Sequence, residues 1–420
     1  MRAIHLLSWM ASAVQLLAQP HNRKDGFHVR PFNIDLGDRV PRMLDLVKNT
    51  RLPAHEDPAA KDSYNITLST GISLSTLKQL QTRWSTSFDW EKEQAAMNRT
   101  RLNHFTVKIE GQTVHFVHTK TNDPDSIPIL LLHGWPGSFL EMVPLIDELN
   151  KRRKKAGGKQ RFNIVIPSLP GFGFSSAPPA DWTVDDSARI LNTLMDKVLG
   201  YPHYAVHATD YGASVAYSAY DQFNQTVRAA HLVFLPFRGL TSEEIKDQDI
   251  TLSAGEEFAQ QRLLDWQSAG NAYSLQHATK PNTIGLSLYD NPIGQLSWIA
   301  EKFISWSDPR QGTGSSLVTH HEILRQVSLY YLTQTLVSSV YMYNQNPNGF
   351  YPVYTKARTD APLLFTNFKY NVGFWPEEVV KQVGNLVSYT FQDFGGHFPA
   401  LDSPSVLAAD IQKIHKYWKD

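Results

Sequence analysis

The chain of 420 residues contains no cysteine, which excludes disulfide bonds and metal sites built from thiolates. No single sign of charge dominates it, because 40 Lys and Arg residues balance 40 Asp and Glu residues. This balance argues against nucleic acid as the main partner. The histidines also lack a metal-binding spacing, since His320 and His321 are not part of a His-Glu-x-x-His pattern. We therefore expect neither a metal site nor a nucleic-acid-binding surface.

The chain also lacks a long uninterrupted hydrophobic run. Its most apolar stretch, residues 3–18, follows Arg2 and is broken by polar residues, so it is too short for a membrane span. The stretch does match a signal peptide with a cleavage site near Ala18. We interpret residues 1–20 as a signal peptide or membrane anchor, with an ordinary leading segment as the alternative.

Three glycosylation sequons follow that segment, Asn65-Ile66-Thr67, Asn98-Arg99-Thr100 and Asn224-Gln225-Thr226. Together with the signal peptide, they predict a glycoprotein that is secreted or associated with the membrane of the endoplasmic reticulum. Without a signal peptide, the expected location is the cytoplasm.

Apolar runs typical of strands alternate with helical patterns from residue 105 onward. The runs are residues 105–109, 113–118, 127–132, 162–166, 204–206, 231–235, 362–366 and 386–391. This alternation predicts an α/β fold with a mostly parallel sheet flanked by helices.

One long stretch, residues 238–350, is rich in aromatic residues and helical patterns and shows no clear strand. Such an insertion is expected above the carboxyl edge of the sheet, where open α/β sheets bind ligands. We therefore predict a core of residues 105–237 and 351–420, interrupted by a helical lid of residues 238–350. Residues 21–104 are polar and mixed and are expected to wrap around the core.

The segment His207-Ala208-Thr209-Asp210-Tyr211-Gly212-Ala213-Ser214 has the pattern of a nucleophile elbow, a sharp turn between a strand and a helix. Small residues, Ala208 and Gly212, flank the nucleophile, and Asp210 stands where serine is usual. A carboxylate at this position attacks carbon and forms an alkyl ester that water must cleave. The aspartate therefore indicates epoxide or carbon–halogen chemistry.

Two further motifs have the positions that this chemistry requires. His133-Gly134-Trp135-Pro136 follows a buried strand, and the backbone amides of Trp135 and Tyr211 are predicted to form an oxyanion hole. His133 is interpreted as a structural residue of that turn. Gly395-Gly396-His397-Phe398 follows the last apolar strand, which makes His397 the expected general base.

The acid that orients the base should follow the strand at residues 362–366. Glu377 and Glu378 both lie there, and their spacing alone does not decide between them. Asp393 is a weaker alternative because it is too close in sequence to His397.

These motifs resemble the epoxide hydrolases of the α/β-hydrolase superfamily, in particular the microsomal-type branch with an extended N-terminal region. The resemblance extends from about Phe32 to the C-terminus and includes Phe88-Asp89-Trp90 and Pro170-Gly171-Phe172-Gly173-Phe174-Ser175 besides the motifs above. Ala208 and Tyr211 stand where the family often has glycine and tryptophan.

The resemblance implies roles for three further residues. Two lid tyrosines protonate the epoxide oxygen in this family, and the matching positions are Tyr273 and Tyr343, with Tyr330, Tyr331 and Tyr341 as alternatives to Tyr343. The acid of the family follows a Phe-Pro-x-acid pattern. Trp375-Pro376-Glu377-Glu378 fits it with Trp for Phe, which selects Glu378.

The expected function is hydrolysis of a small hydrophobic epoxide to a vicinal diol through a covalent ester on Asp210, without a cofactor. Three alternatives stay open: an epoxide-opening cyclase or isomerase, a haloalkane dehalogenase, and a binding protein with vestigial catalysis. Tyr211 counts against the dehalogenase, which typically uses a tryptophan beside the nucleophile. Membrane association and a homodimer are also left open.

Overall fold

The computed structural model describes residues 26–56, 62–63, 65–99, 102–155, 161–310, 312, 317–346 and 351–419. The predicted signal peptide at residues 1–20 and Thr100 of the second sequon lie outside these residues. Among the described residues, no helix is both long enough and apolar enough to cross a membrane.

The strands of the described residues form one sheet in the order β1-β2-β3-β5-β4-β6-β7-β8-β9. They are β1 Arg30–Pro31, β2 His104–Ile109, β3 Gln112–Thr119, β4 Ile127–Leu132, β5 Phe162–Pro167, β6 Tyr204–Ala208, β7 Val227–Leu232, β8 Pro362–Tyr370 and β9 Asn385–Gly396. Neighbouring strands from β5 to β9 pair in parallel, whereas β1, β2, β3 and β5 pair antiparallel in that order. The predicted α/β fold with a mostly parallel sheet is confirmed.

Helices surround this sheet and also form the region between β7 and β8. They are α1 Val40–Asn49, α2 Leu74–Thr86, α3 Trp90–Met97, α4 Phe139–Lys155, α5 Val184–Thr193, α6 Asp210–Gln222, α7 Ser242–Asp247, α8 Ala254–Asp265, α9 Ala272–Thr279, α10 Pro281–Leu288, α11 Pro292–Ser305, α12 His320–Thr333, α13 Leu336–Gln345, α14 Glu377–Val383, α15 Pro399–Asp402, α16 Pro404–Gln412 and α17 Ile414–Tyr417. Short 3-10 helices occur at Gly37–Arg39 and Ile66–Leu68, and π-helical turns at Leu194–Val198 and Trp266–Gly270.

The strand expected at residues 231–235 is observed earlier, as β7. Val233, Phe234 and Leu235 are buried but lie beyond the carboxyl end of the strand. The predicted strand is displaced because these three residues are buried beneath the lid. An apolar run of this kind has the same composition as a buried strand.

The helices α7 to α13, which we call the lid helices, follow β7 and precede β8. They cover the carboxyl edge of the sheet, since Tyr330 of α12 donates a hydrogen bond to the carbonyl of Gly137, 2.8 Å away in the turn after β4. This is the region predicted as a lid from residues 238–350. The exact division of the chain into five segments stays a prediction.

The segment before β2 packs against both the lid helices and the sheet edge. The fully buried Trp84 of α2 donates from Nε1 to Oγ of Ser328 in α12, at 2.9 Å. Arg39 donates to the carbonyl of Leu332 at 2.6 Å, and β1 pairs with β2. These contacts hold the lid helices against the N-terminal segment as well as against the core.

Candidate active site

Asp210 occupies a strained turn between β6 and α6. Its φ of 47° lies in the left-handed region, which costs a non-glycine residue on the order of 1–3 kcal/mol. Close packing holds the turn, because a Cβ at Gly212 would lie 2.3 Å from the carbonyl oxygen of His133. A Cβ at Gly134 would lie 2.2 Å from Oδ1 of Asp210. The small residues of the elbow thus allow the carboxylate to approach the turn after β4.

The backbone amide of Trp135 holds this carboxylate by donating to Oδ1 of Asp210 at 2.7 Å. The same N–H can stabilise an oxyanion when the carboxyl group becomes the carbonyl of an ester. The Tyr211 amide is in the first turn of α6, where helical N–H groups lack partners within the helix. Its part in an oxyanion hole stays a prediction.

His133, interpreted as structural, orders this turn. Its Nε2 accepts from the Leu169 amide at 3.2 Å, and its Nδ1 lies 3.1 Å from the Gly134 carbonyl. Burial lowers the pKa of His133 to about 4, so the ring is neutral near neutral pH.

His397 lies against Asp210, with its Nε2 3.2 Å from Oδ2 of the carboxylate. The imidazole is only 1% exposed. Its backbone N–H donates to the carbonyl of Trp306 at 2.8 Å, and a Cβ at Gly396 would lie 2.6 Å from that same oxygen. The paired glycines therefore let the backbone pass close to Trp306, which brings the predicted base to the predicted nucleophile.

The structure does not bring Glu378 to His397. Glu378 is exposed in the first turn of α14, and Glu377 forms an ion pair with Lys381 at 2.8 Å. The residue that contacts Nδ1 of His397 is instead Asn371, whose Oδ1 lies 2.8 Å away. The expected contact from Glu378 is wrong because the helix that begins at Glu377 directs this carboxylate to the surface.

Asp393, the weaker alternative, is also exposed and bonds to Lys369 at 2.6 Å. The sequence did not indicate Asn371, because the residue that orients a catalytic histidine is expected to be a carboxylate. Its position, immediately after the apolar run that forms β8, was the available signal.

Tyr273 and Tyr343 come together above the nucleophile. The ring of Tyr273 stacks on Trp135 with centroids 5.1 Å apart, and its centroid is 6.1 Å from that of Tyr343. Burial is the main cause that raises the pKa of both hydroxyls well above the usual value. The charge of Asp210 raises it further. Both phenols therefore stay protonated and able to donate hydrogen bonds.

The other tyrosines that were open for this role use their hydroxyls elsewhere. Tyr330 donates to the Gly137 carbonyl, Tyr331 to Asp290 at 2.9 Å, and Tyr341 to Asn282 at 3.1 Å. The geometry thus favours Tyr343 over its three alternatives.

Aromatic residues enclose the reacting groups. Phe234 and Trp306 contact the His397 ring with centroid distances of 5.9 and 5.0 Å. Beside them lies a largely apolar cavity of about 280 Å³. Its walls include Phe234, Leu263, Trp266, Val372 and Trp375. Within the described part of the chain, no group of three or more His, Asp or Glu residues could hold a metal ion.

Two protein-family models match this chain. The family model described as the epoxide hydrolase N terminus matches residues 29–142, and the model for the alpha/beta hydrolase fold matches residues 127–248. The structure of an epoxide hydrolase from Aspergillus niger is 31% identical, with a TM-score of 0.79, over 93% of this chain and 96% of that one. The chain belongs to the epoxide hydrolase family. The predicted family, fold and enzyme class are therefore confirmed.

Further relatives of the enzyme come from animals. Epoxide hydrolase 1 of Oryctolagus cuniculus is 28% identical over 92% of this chain and 88% of its own length. The juvenile hormone epoxide hydrolase structure from Bombyx mori shares the fold, with a TM-score of 0.78 at 24% identity over 93% of this chain and 94% of that one.

Proposed function

We propose that the enzyme hydrolyses small apolar epoxides to vicinal diols in two steps, through an ester on Asp210. The observation that carries this proposal is the environment of one carboxylate. Its Oδ1 accepts from the Trp135 amide, and its Oδ2 lies 3.2 Å from Nε2 of His397. Two protonated phenols complete the site.

In the first step, Oδ2 of Asp210 attacks a ring carbon of the epoxide and breaks the bond from that carbon to oxygen. Oδ2 is the attacking atom because Oδ1 is already held by the Trp135 amide. Tyr273 and Tyr343 donate to the opening oxygen, and one of them supplies the proton that makes it a hydroxyl group. The product of this step is a hydroxyalkyl ester.

In the second step, Nε2 of His397 takes a proton from water, and the hydroxide attacks the ester carbonyl carbon. Charge develops on Oδ1, where the Trp135 amide donates to it. Collapse of this intermediate releases the diol and restores the carboxylate. The proton held by His397 goes to the departing oxygen, and the second proton of the water, left on the Asp210 carboxyl group, passes through solvent to the tyrosinate.

The substrate class follows from the surroundings of the site. The apolar cavity of about 280 Å³ includes Phe234, which contacts His397, and Val372, which follows Asn371. We propose that this cavity holds the apolar substituent of the epoxide, because burial of such a group contributes roughly 25 cal/mol per Å².

The location of the enzyme is a separate proposal that rests on sequence. Residues 1–20 are proposed to direct the chain into the secretory pathway or to its membrane, and a fusion of these residues to a reporter tests this. Asn98 has its amide bonded in both directions to the backbone of Ile34, and Asn224 donates from Nδ2 to the carbonyl of Arg358 at 2.7 Å, which favours glycosylation at Asn65.

Trapping of the ester tests the proposed reaction. His397→Gln should still be alkylated by an apolar aryl or aliphatic epoxide but should not release the diol, because the base serves the second step. Intact-protein and peptide mass spectrometry should find the mass of the substrate on Asp210. The double variant Asp210→Asn, His397→Gln is the control and should carry no adduct. An adduct on another residue, or none on His397→Gln, would refute the assignment.

A further inference from the structure

Asn371 is a buried amide in the turn that follows β8. It is 1% exposed, and its backbone N–H donates to the carbonyl of Phe368 at 3.0 Å. Its Oδ1 accepts from the amide of Val372 at 2.8 Å as well as lying 2.8 Å from Nδ1 of His397. The side chain is therefore fixed by the backbone on one side and meets the imidazole on the other.

The neighbours of Asn371 determine which way its amide points. Nδ2 donates to the carbonyl of Val233 at 3.2 Å, in the segment after β7. A reversed amide would set two acceptors against each other at Val233 and two donors against each other at Val372, each costing about 1–3 kcal/mol. Oδ1 must therefore face His397.

This orientation sets the tautomer of His397. An amide oxygen only accepts, so Nδ1 of the imidazole carries the hydrogen. In the neutral ring Nε2 therefore has the lone pair, and this is the atom that lies 3.2 Å from Oδ2 of Asp210. The ring is thus presented to the reacting groups as a base.

We propose that the neutral amide of Asn371 is the positioning residue that fixes His397 for ester hydrolysis, in the place where Glu378 was expected. The inference rests on the proposed function, since it assigns a role to His397 in the second step. Among the charged alternatives, Glu378 is exposed and Asp393 bonds to Lys369. The amide also donates to the Val233 carbonyl, a bond that an ionised carboxylate would not make.

An orienting acid has two roles: it holds the imidazole in one tautomer, and it stabilises the imidazolium that forms. Asn371 performs the first role through Oδ1, whereas its neutral amide does not provide the second. Its loss should therefore affect the step that needs a base and leave alkylation by Asp210 nearly unchanged.

Three variants of the full chain test whether Asn371 or Glu378 positions His397. Asn371→Leu keeps the branched shape of the side chain but removes the acceptor, Asn371→Asp keeps an acceptor, and Glu378→Gln is the matched control at the exposed position. Rapid quenching and mass spectrometry would follow formation and decay of the ester in a single turnover. Asn371→Leu should slow decay by roughly 10²-fold or more and alter formation little, since a misoriented or wrongly protonated imidazole cannot act as base. Asn371→Asp should restore most of the decay rate, and Glu378→Gln should behave as the wild type.

A second measurement uses the unaltered enzyme and does not depend on a variant that folds. Nitrogen NMR of the ¹⁵N-histidine-labelled wild type is recorded across a pH titration, with the His397 signals assigned by their loss in His397→Gln. Once the ring is neutral, it should show Nδ1 protonated and Nε2 unprotonated. The opposite tautomer would overturn the inference, as would normal ester decay in folded Asn371→Leu or slow decay in Glu378→Gln. If the wild type forms no ester at all, it is the proposed function that fails.

Discussion

At the scale of single residues, Tyr273 and Tyr343 are connected to Asp210 through their common neighbour Trp135. Both pack near Trp135, whose amide holds Asp210, so the group that orients the nucleophile also supports the acids. Burial and the nearby negative charge raise the pKa of both phenols and keep them protonated. In the proposed reaction, ring opening therefore takes place between a fixed carboxylate and two donors.

Removal of either hydroxyl should slow alkylation. Tyr273→Phe and Tyr343→Phe should each reduce the rate of ester formation by roughly 10²-fold, the usual contribution of one general acid. Tyr341→Phe is the matched control, because its hydroxyl bonds to Asn282 away from the site. Pre-steady-state measurement of ester formation checks this expectation. Normal alkylation by Tyr343→Phe would exclude that tyrosine as a donor.

The sequence indicated three candidate residues that the structure brings together, and each belongs to a local motif. Asp210, Trp135 and His397 each belong to a short turn that contains glycine. Crowding at Gly134, Gly212 and Gly396 leaves no room for a side chain, so the glycines mark these motifs in the sequence. Asn371 was missed, because its role depends on the Val233 carbonyl and His397, which are distant in sequence. Its chemical type is also unexpected, since this turn has an amide where a carboxylate is usual.

At the scale of elements, the site depends on how closely the turn after β4 approaches the elbow between β6 and α6. Gly134 and the carboxylate of Asp210 occupy adjacent space, so the strand–turn–helix geometry and the position of the nucleophile are coupled. A displacement of about 1 Å in such a site can cost about 10²-fold in rate.

A single methyl group tests this coupling. Gly134→Ala should reduce ester formation by roughly 10²-fold, because its Cβ would lie 2.2 Å from Oδ1 of Asp210 and would push the carboxylate from the Trp135 amide. Gly37→Ala is the control, since the nearest atom to its Cβ would be 3.8 Å away. Alkylation by both variants would be compared after circular dichroism has shown that they are folded. Equal rates for Gly134→Ala and wild type would contradict the crowding argument.

The sequence pattern predicted that the region between β7 and β8 is helical. It did not predict the contacts that these helices make. Periodicity identifies a helix and its apolar face, whereas the partner of that face depends on the whole chain. The hydrogen bond from Tyr330 to the turn after β4 joins residues 193 positions apart. No local signal indicates such a pair.

At the scale of the whole molecule, neutral histidines are buried on and around the sheet. His207 and His231 lie with their Nδ1 atoms 2.9 Å apart, and His104 and His115 form a second pair at 3.0 Å. Burial lowers the pKa of all four, that of His231 to about 3. In the unfolded chain these histidines have a pKa near 6.5. Below that pH they bind protons in the unfolded chain but stay neutral in the folded chain.

The free energy of unfolding should therefore fall as the pH is lowered. These histidines contribute their full stability above about pH 6.5 and lose it as the pH falls toward their folded values. Between pH 6.5 and 5, one histidine that stays neutral in the fold contributes a loss of up to about 2 kcal/mol. Thermal unfolding from pH 7 to pH 4.5 should show a steadily decreasing midpoint.

Two variants assign this effect to the buried rings. His231→Gln should reduce the pH dependence of the midpoint, whereas His55→Gln, at an exposed position, should not change it. A midpoint that stays constant over this range would show that the buried histidines do not control acid stability.

The fold of the whole molecule was predictable because strands alternate with helices along most of the chain, a pattern that few architectures share. The position of the N-terminal segment was less predictable. Trp84 reaches Ser328 across 244 residues, and the composition before β2 indicated only a polar wrapping segment. Long-range contacts of this kind decide how the lid helices are held, and a single sequence does not reveal them.

The covalent role of Asp210 is the central claim, and the source of oxygen tests it most directly. In a single turnover in ¹⁸O-labelled water, with enzyme in excess, the oxygen that reaches the substrate carbon should come from Asp210. The diol should be largely unlabelled, and a peptide spanning residues 207–220 should carry the solvent oxygen in its carboxyl group. Label in the diol on the first turnover, with none in Asp210, would contradict the account.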